Sequence, residues 1–382
     1  MILNSNHAIR RLFMNKVKRN TVFLVLGSIL WAVTAFSLGL YLVFCFFPEF
    51  SDAFNQSIAQ FLRHVLAKIS SILPFSIGEW LVLSLPVAFA ALVFGAIRYV
   101  KSSRRLSSYL LRLFSGVCVI FCLFVWTFAP GYRGSGIEKK LELDREPVLE
   151  VDLLRSTLYL TDELKDLSYD LVSGQSGATI MPYSFDELNE KLLTAYEDFA
   201  KDHDFLSTYY SRVKPVFASK LLSYSHITGI YSFPTGEANV NTDFPDYTLP
   251  FTMAHELAHQ RGIAREDEAN FVAYLVCMNS EDTYIRYSAA LSLWEYMMNA
   301  MYETNPEYYS MLLRILPETV QKEEAAYAEF FKPYQNSNLA TVNDFVNDTY
   351  LKSQGAKAGT RSYNLVVDLA VAYFKAENIV AK

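Results

Sequence analysis

The sequence predicts a mainly α protein: three N-terminal transmembrane helices, then an extracytoplasmic α-rich domain with a small β edge strand or hairpin. Three observations predict it. Three long apolar runs crowd the first 129 residues. Helical periodicity dominates the rest of the chain. One segment, residues 227–242, instead gathers β-branched and aromatic residues around a Pro-Thr-Gly turn.

The apolar runs cover residues 21–47, 77–97 and 109–129. Each approaches or exceeds the roughly 20 apolar residues that a bilayer crossing requires. The first is too long for a cleaved signal peptide and ends in bulky "CFFPEF", not in small residues. Lys and Arg cluster before the first run (Arg10, Arg11, Lys16, Lys18, Arg19) and between the second and third (Arg98, Lys101, Arg104, Arg105, Arg112). The loop at 48–76 carries only Arg63 and Lys68. Positive charge marks the cytoplasmic side, so the N-terminus is expected inside and everything after about Ala129 outside, in a multi-pass cell-membrane protein. The runs lack paired intramembrane charges, which argues against a transporter. A formal net charge of −6, with no basic stripe beyond residue 112, argues against a nucleic-acid partner.

"APGYRGSG" at 129–136 is a natural boundary, giving a membrane domain over 1–129 and a second domain over 130–382. Ser184 and Glu187 form a capping box at the start of one helix, and "SEDTYIRYSAALSLWEYMMNAMYE" and "SYNLVVDLAVAYFKAE" carry helical periodicity. In the loop between the first two runs, Phe54, Ile58, Phe61, Leu62, Val65 and Ile69 recur at helical spacing. Two placements fit that helix: flat on the outer leaflet, or packed on the second domain. Cys277 is the only cysteine beyond the membrane domain, so an internal disulfide there is excluded, and the residue reads as a small buried hydrophobe.

The chemistry concentrates in "TMAHELAHQRGIAREDEANF", residues 252–271. Pro250 suits a first helical turn, Thr248 an N-cap, and Gly262 a C-terminal stop. His255 and His259 are four apart and share a face; both imidazoles can bind one ion, with Glu256 offset towards a water. A third ligand is expected among Glu266, Asp267 and Glu268. Glu266 ranks first and Glu268 second, because the two point about 200° apart on a helix and cannot face the same ion. Asn270, one turn beyond Glu266, is placed to orient a ligating histidine. Tyr363, Tyr287, His226 and Arg286 are candidate oxyanion donors. His7, His64 and His203 lack partners at metal spacing and read as structural or exposed.

"HELAH" followed by "EDEAN" resembles the gluzincin zinc peptidases. The resemblance implies a zincin-like domain with Zn²⁺ held by His255, His259 and Glu266, and Glu256 as general base. It also implies an edge strand before the motif helix that pairs with extended peptide, with Glu237 or Asn239 as candidate substrate contacts; without that role they read as solvated turn residues. Many members of that clan have Asp where this chain has Asn270; an amide orients a histidine but adds no negative charge. The interval from His259 to Glu266 is short for the clan and requires a tight turn. Over nearly its whole length, through "GIYSFPTGEANVN", "HELAHQRG", "EDEANF" and "YLKSQGAKAGTRSY", the chain also resembles an uncharacterised bacterial membrane family, domain-of-unknown-function family 3810, which supplies no substrate.

The expected function is therefore a membrane-anchored zinc metallopeptidase whose partners are the lipid bilayer and a peptide or protein substrate. The alternatives are a catalytically inactive binding or scaffolding protein with a structural metal site, and an amidase acting on cell-wall peptides.

Overall fold

A computed structural model describes residues 25–100, 106–355 and 365–380. Among these, three helices are long and apolar enough to cross a membrane: Val25–Phe46, Ile77–Tyr99 and Tyr109–Thr127. The first ends where Pro48 follows, since the residue before a proline disfavours helical torsions. The third stops at Thr127, two residues earlier than its composition suggests. Phe128 breaks it at φ −130°, and a short helix, Ala129–Arg133, restarts with Pro130 in its first turn.

The loop helix between the first two apolar helices is inverted. Across Pro48–Phe54, a π-turn at Asn55–Ala59 and Gln60–Ser70, the buried residues are Ser51, Phe54, Asn55, Ala59, Arg63, Ala67 and Ser70, with Phe54 packed on Phe44 and Val125 of the apolar helices. Of the apolar row read from the sequence, Ile58, Phe61, Val65 and Ile69 point outward, Leu62 is half-buried and Phe54 is buried. The helix does pack on the second domain, but through its polar face.

The second domain is built on two crossing helix pairs. Glu150–Leu167 packs along Thr283–Thr304, burying Leu160, Leu164, Ile285 and Leu291 completely. The motif helix Thr248–Gln260 and the following helix Glu266–Met278 lie against them through Met253, Leu257, Phe271 and Val276, all fully buried. Each such side chain contributes about 1.5–3 kcal/mol, so the motif helices are anchored by their apolar faces and their polar residues are held wherever the remaining faces point.

A three-stranded sheet covers the motif helix. Its order is β1 (Val213–Pro215), β3 (Glu237–Val240), β2 (Gly229–Ser232). β3 is central, parallel to β1 and antiparallel to β2, with Gly229 opposite Val240 and Ile230 opposite Asn239. The expected hairpin is therefore present, but "TGEANVN" lies on its inner strand. The two edges are β1 and β2, and β2 is the one that meets Glu256 of the motif helix.

Candidate metal centre

The motif helix begins at Thr248. Thr248 is not its N-cap: its hydroxyl donates to the Pro245 carbonyl at 2.8 Å, and Tyr247 takes the capping position. Pro250 is the third helical residue, still within the turn whose N–H groups have no intrahelical acceptor. The next N–H, of Phe251, donates to Ser288 Oγ at 3.0 Å. At the other end the chain reverses in a Schellman motif. Gly262 takes φ +95°, its N–H donates to the His259 carbonyl at 2.9 Å, and the Ile263 N–H reaches the Ala258 carbonyl at 3.1 Å. This is the tight turn that the short His259-to-Glu266 interval requires. It lets the next helix start at Glu266.

The three acids of that first turn separate. Glu266 Oε2 lies 3.3 Å from Nε2 of both His255 and His259. Asp267 pairs with Arg145 at 3.2 Å. Glu268 points the other way, accepting from Arg265 at 2.8 Å and from the Ile137 N–H at 3.1 Å. The sequence's second choice for third ligand is thus a structural tie to the segment leaving the third apolar helix.

Among the described residues, His255, His259 and Glu266 form one metal-competent group, their ligand atoms all within 4.8 Å of one another. His259 donates from Nδ1 to the Ile263 carbonyl at 2.7 Å, which aims Nε2 at the shared point. Glu256 is 4% exposed, and its Oε2 is buried without a hydrogen-bond partner, as is His255 Nδ1. Two nitrogens and a carboxylate oxygen with an unpartnered acid beside them suit Zn²⁺, which takes these donors and keeps a position open in catalytic sites.

Burial and mutual charge shift all four groups. Burial pushes Glu256 up to about 8. Burial opposes charge on His259 too, but Glu266 beside it raises that imidazole to about 9. Burial and the charge on His259 both lower His255. Burial alone would raise Glu266; the charge on His259 and hydrogen bonds from both histidines outweigh it and hold the carboxyl well below the carboxylate range.

The group opens into a cleft of about 750 Å³. β2 forms one wall, from Thr228 to Tyr231. Ser292, Tyr296 and Asn299 of the long helix form another, and Asn343, Asn347 and Tyr350 of helix Asn338–Ser353 face them. Phe128 and Tyr132, just past the third apolar helix, also line it. Gly229 is required for close approach: a Cβ there would run into the Glu256 carboxylate, with Cγ only 2.8 Å away.

The remaining sequence candidates scatter. His226 reaches the cleft but its Nε2 is 2.8 Å from the Tyr334 carbonyl. Tyr287 does not line the cleft; it donates to Glu323 at 3.2 Å. Arg286 pairs with Glu163 at 3.6 Å. Tyr363 and His7 lie outside the described residues. His64 stacks on Tyr209 and His203 on Phe199. Glu237 is engaged elsewhere: it accepts from Lys214 Nζ at 2.6 Å and from the N–H groups of Ile77 and Gly78 at 2.9 and 2.7 Å, capping the second apolar helix. Asn239 is buried beside it, donating to the Ile230 carbonyl at 3.1 Å. Asn270 donates to the Tyr296 hydroxyl at 3.2 Å and also meets the His255 side chain, which burial and the charge on His259 lower despite it.

Sequence reasoning missed Tyr296 and Tyr350, both cleft-lining phenols pushed up mainly by burial, Tyr296 next by Glu295 and each to a smaller extent by Glu266; Tyr350 reaches about 12. Nothing local distinguishes them among 25 tyrosines. It also missed Arg63, 1% exposed, which donates to Asn55 Oδ1 at 2.8 Å, the Thr127 carbonyl at 2.7 Å, the Asn55 carbonyl at 3.0 Å and the Arg261 carbonyl at 3.4 Å. A cation at the C-terminal ends of two helices is favoured by both dipoles.

No curated protein and no solved structure matches the chain. A model of the family described as "Protein of unknown function (DUF3810)" matches residues 54–371, from the loop helix through the metal-competent group to the C-terminal helix, and the chain belongs to that family.

Proposed function

We propose that this chain is a membrane-anchored zinc metallopeptidase. The observation that carries the reading is Glu256 Oε2, buried without a partner beside three converging ligand atoms at the floor of an open cleft. An unpartnered buried carboxylate oxygen costs stability, and a general base facing a reacting water is a role that accounts for it.

His255, His259 and Glu266 would hold Zn²⁺, which supplies Lewis acidity towards water and a carbonyl oxygen. Glu256 accepts the proton of the attacking water and returns it to the leaving amine. Tyr350 and Tyr296 line the cleft and replace Tyr287 as the candidates for hydrogen-bonding the oxyanion. The unpaired edge of β2 offers main-chain partners to an extended polypeptide, which favours a peptide over a branched cell-wall substrate.

The test is elemental analysis of the purified full-length chain beside His255→Ala and Glu266→Ala variants, followed by a peptide-library screen. About one zinc per chain, lost in both variants, is expected for a three-ligand site. A folded, zinc-supplemented protein that binds no metal overturns the reading and leaves a scaffold as the better account. The full chain is needed because Arg63 and Asn55, outside residues 130–382, bond the end of the motif helix.

A further inference from the structure

We propose that the cleft works at the bilayer surface and that its substrates are membrane-anchored polypeptides, cut in the stretch just outside the membrane. This rests on the peptidase reading and on the three apolar helices crossing a bilayer.

The first observation is proximity. The third apolar helix ends at Thr127, and the next residue, Phe128, already lines the cleft. Its ring centroid lies 5.9 Å from that of His259. One aromatic ring therefore separates a metal-competent imidazole from the end of a span, which marks the edge of the hydrocarbon.

The second is that two walls of the cleft stand on that span end. Phe233, in the turn after β2, packs on Phe124 at 5.5 Å and on Phe128 at 6.4 Å. Tyr350, on the facing helix, meets Tyr132 at 6.1 Å. The mouth is not carried on a stalk.

The third is the inverted loop helix. Phe61 is 65% exposed and Ile69 58%, while Arg63 behind them is fully enclosed. The helix is joined to a span at either end, at Phe46 and at Ile77. An apolar row continuous with two spans lies along lipid, with its polar face inward. Arg63 then ties this in-plane helix to the Thr127 carbonyl of the span and to the Arg261 carbonyl of the motif helix. Hydrogen bonds, not a linker, fix the height of the site above the membrane. A polypeptide held in the same bilayer reaches such a mouth by lateral diffusion, at a high effective concentration.

The experiment uses the full-length protein in liposomes and one cleavable sequence in three forms. One is free in solution. The others are fused to a transmembrane helix through a spacer of about five residues, spanning at most roughly 17 Å, or of about forty. Both anchored forms are expected to be cut at least about tenfold faster than the free form at equal bulk concentration, with the short spacer at least as good as the long one. A short-spacer form left intact while the long-spacer or free form is cut overturns the inference and places the site high above the membrane. Equal rates for all three also overturn it, while leaving the peptidase standing. If none of the three is cut, the peptidase reading falls and takes this substrate assignment with it.

Discussion

The loop helix Gln60–Ser70 and the motif helix Thr248–Gln260 both turn charged side chains inward, and they treat them in opposite ways. Arg63 is enclosed by four hydrogen bonds from its two terminal nitrogens, with only Nε unpaired. On the motif helix, Glu256 Oε2 and His255 Nδ1 are equally buried and have no partner. A buried polar atom left unpaired costs about 1–3 kcal/mol, comparable to the gain from burying one Leu side chain. The partnered cation is architecture. On the proposed reading a reacting water meets the unpartnered acid, so the two helices contrast a structural cation with a candidate chemical group.

The largest effect is expected on the unpartnered side. Glu256→Gln preserves shape and removes the base, so hydrolysis should fall by about 10²–10⁴ while zinc content and thermal stability stay at wild-type values. Hydrolysis at the wild-type rate in this variant would remove Glu256 from the mechanism. On the partnered side the reverse split is expected. Arg63→Met strips donors from the Thr127, Asn55 and Arg261 carbonyls, each worth about 1–3 kcal/mol when left unsatisfied in the interior. The midpoint of thermal unfolding in detergent should drop markedly. Arg63→Lys should recover little, because an ammonium cannot reproduce the guanidinium fork. An Arg63→Met protein as stable as wild type would break the comparison.

Legibility in the sequence tracks the range of the interactions. The convergence of His255, His259 and Glu266 is legible, because i,i+4 stacking, a Gly262 stop and the divergence of Glu266 from Glu268 are all local. Ser184 is too, since its Oγ accepts the Glu187 N–H at 3.3 Å. Glu237 is not: Lys214 and the Ile77 and Gly78 N–H groups lie 23, 160 and 159 residues away. β1 is not either, being three residues long and ending in Pro215, so the strand carrying Glu237 reads as an edge when it is the centre. The inverted helix fails differently. Its period is plain in the sequence, but periodicity does not say which face is buried. Arg63 decides that, and in the sequence it is one of two scattered loop cations.

A finer probe of the same contrast leaves every charge in place. Gly229→Ala adds one methyl group where the edge strand meets Glu256, and that carboxylate must move. Displacement of a catalytic group by about 1 Å is worth on the order of 10² in rate. The expected result is a fall in kcat of that order, with metal content unchanged and the unfolding midpoint nearly so. A drop in stability without a drop in kcat would mean that β2, not Glu256, gives way.

The smallest effect expected is a pH dependence of about tenfold per unit, and its sign is specific. After chelation, His259 titrates at about 9, above its usual 6.5. The stability from its proton is complete below about 6.5 and is lost as pH rises through about 9. Glu256, raised from 4.5 to about 8, acts in the same direction, since the folded chain keeps a proton that the unfolded chain has released. Glu266 is depressed, so its contribution is present throughout this window and is lost only in acid. The chelated protein should therefore become less stable from pH 6.5 to 9. Zinc must displace the His259 proton, so its affinity should rise about tenfold per pH unit over the same range. The two trends diverge, and the increase in unfolding temperature on adding zinc should widen steadily from pH 6.5 to 9. An increase that stays flat would mean that the proton shared by His259 and Glu266 is not the one the metal replaces, and the ligand set would have to be redrawn.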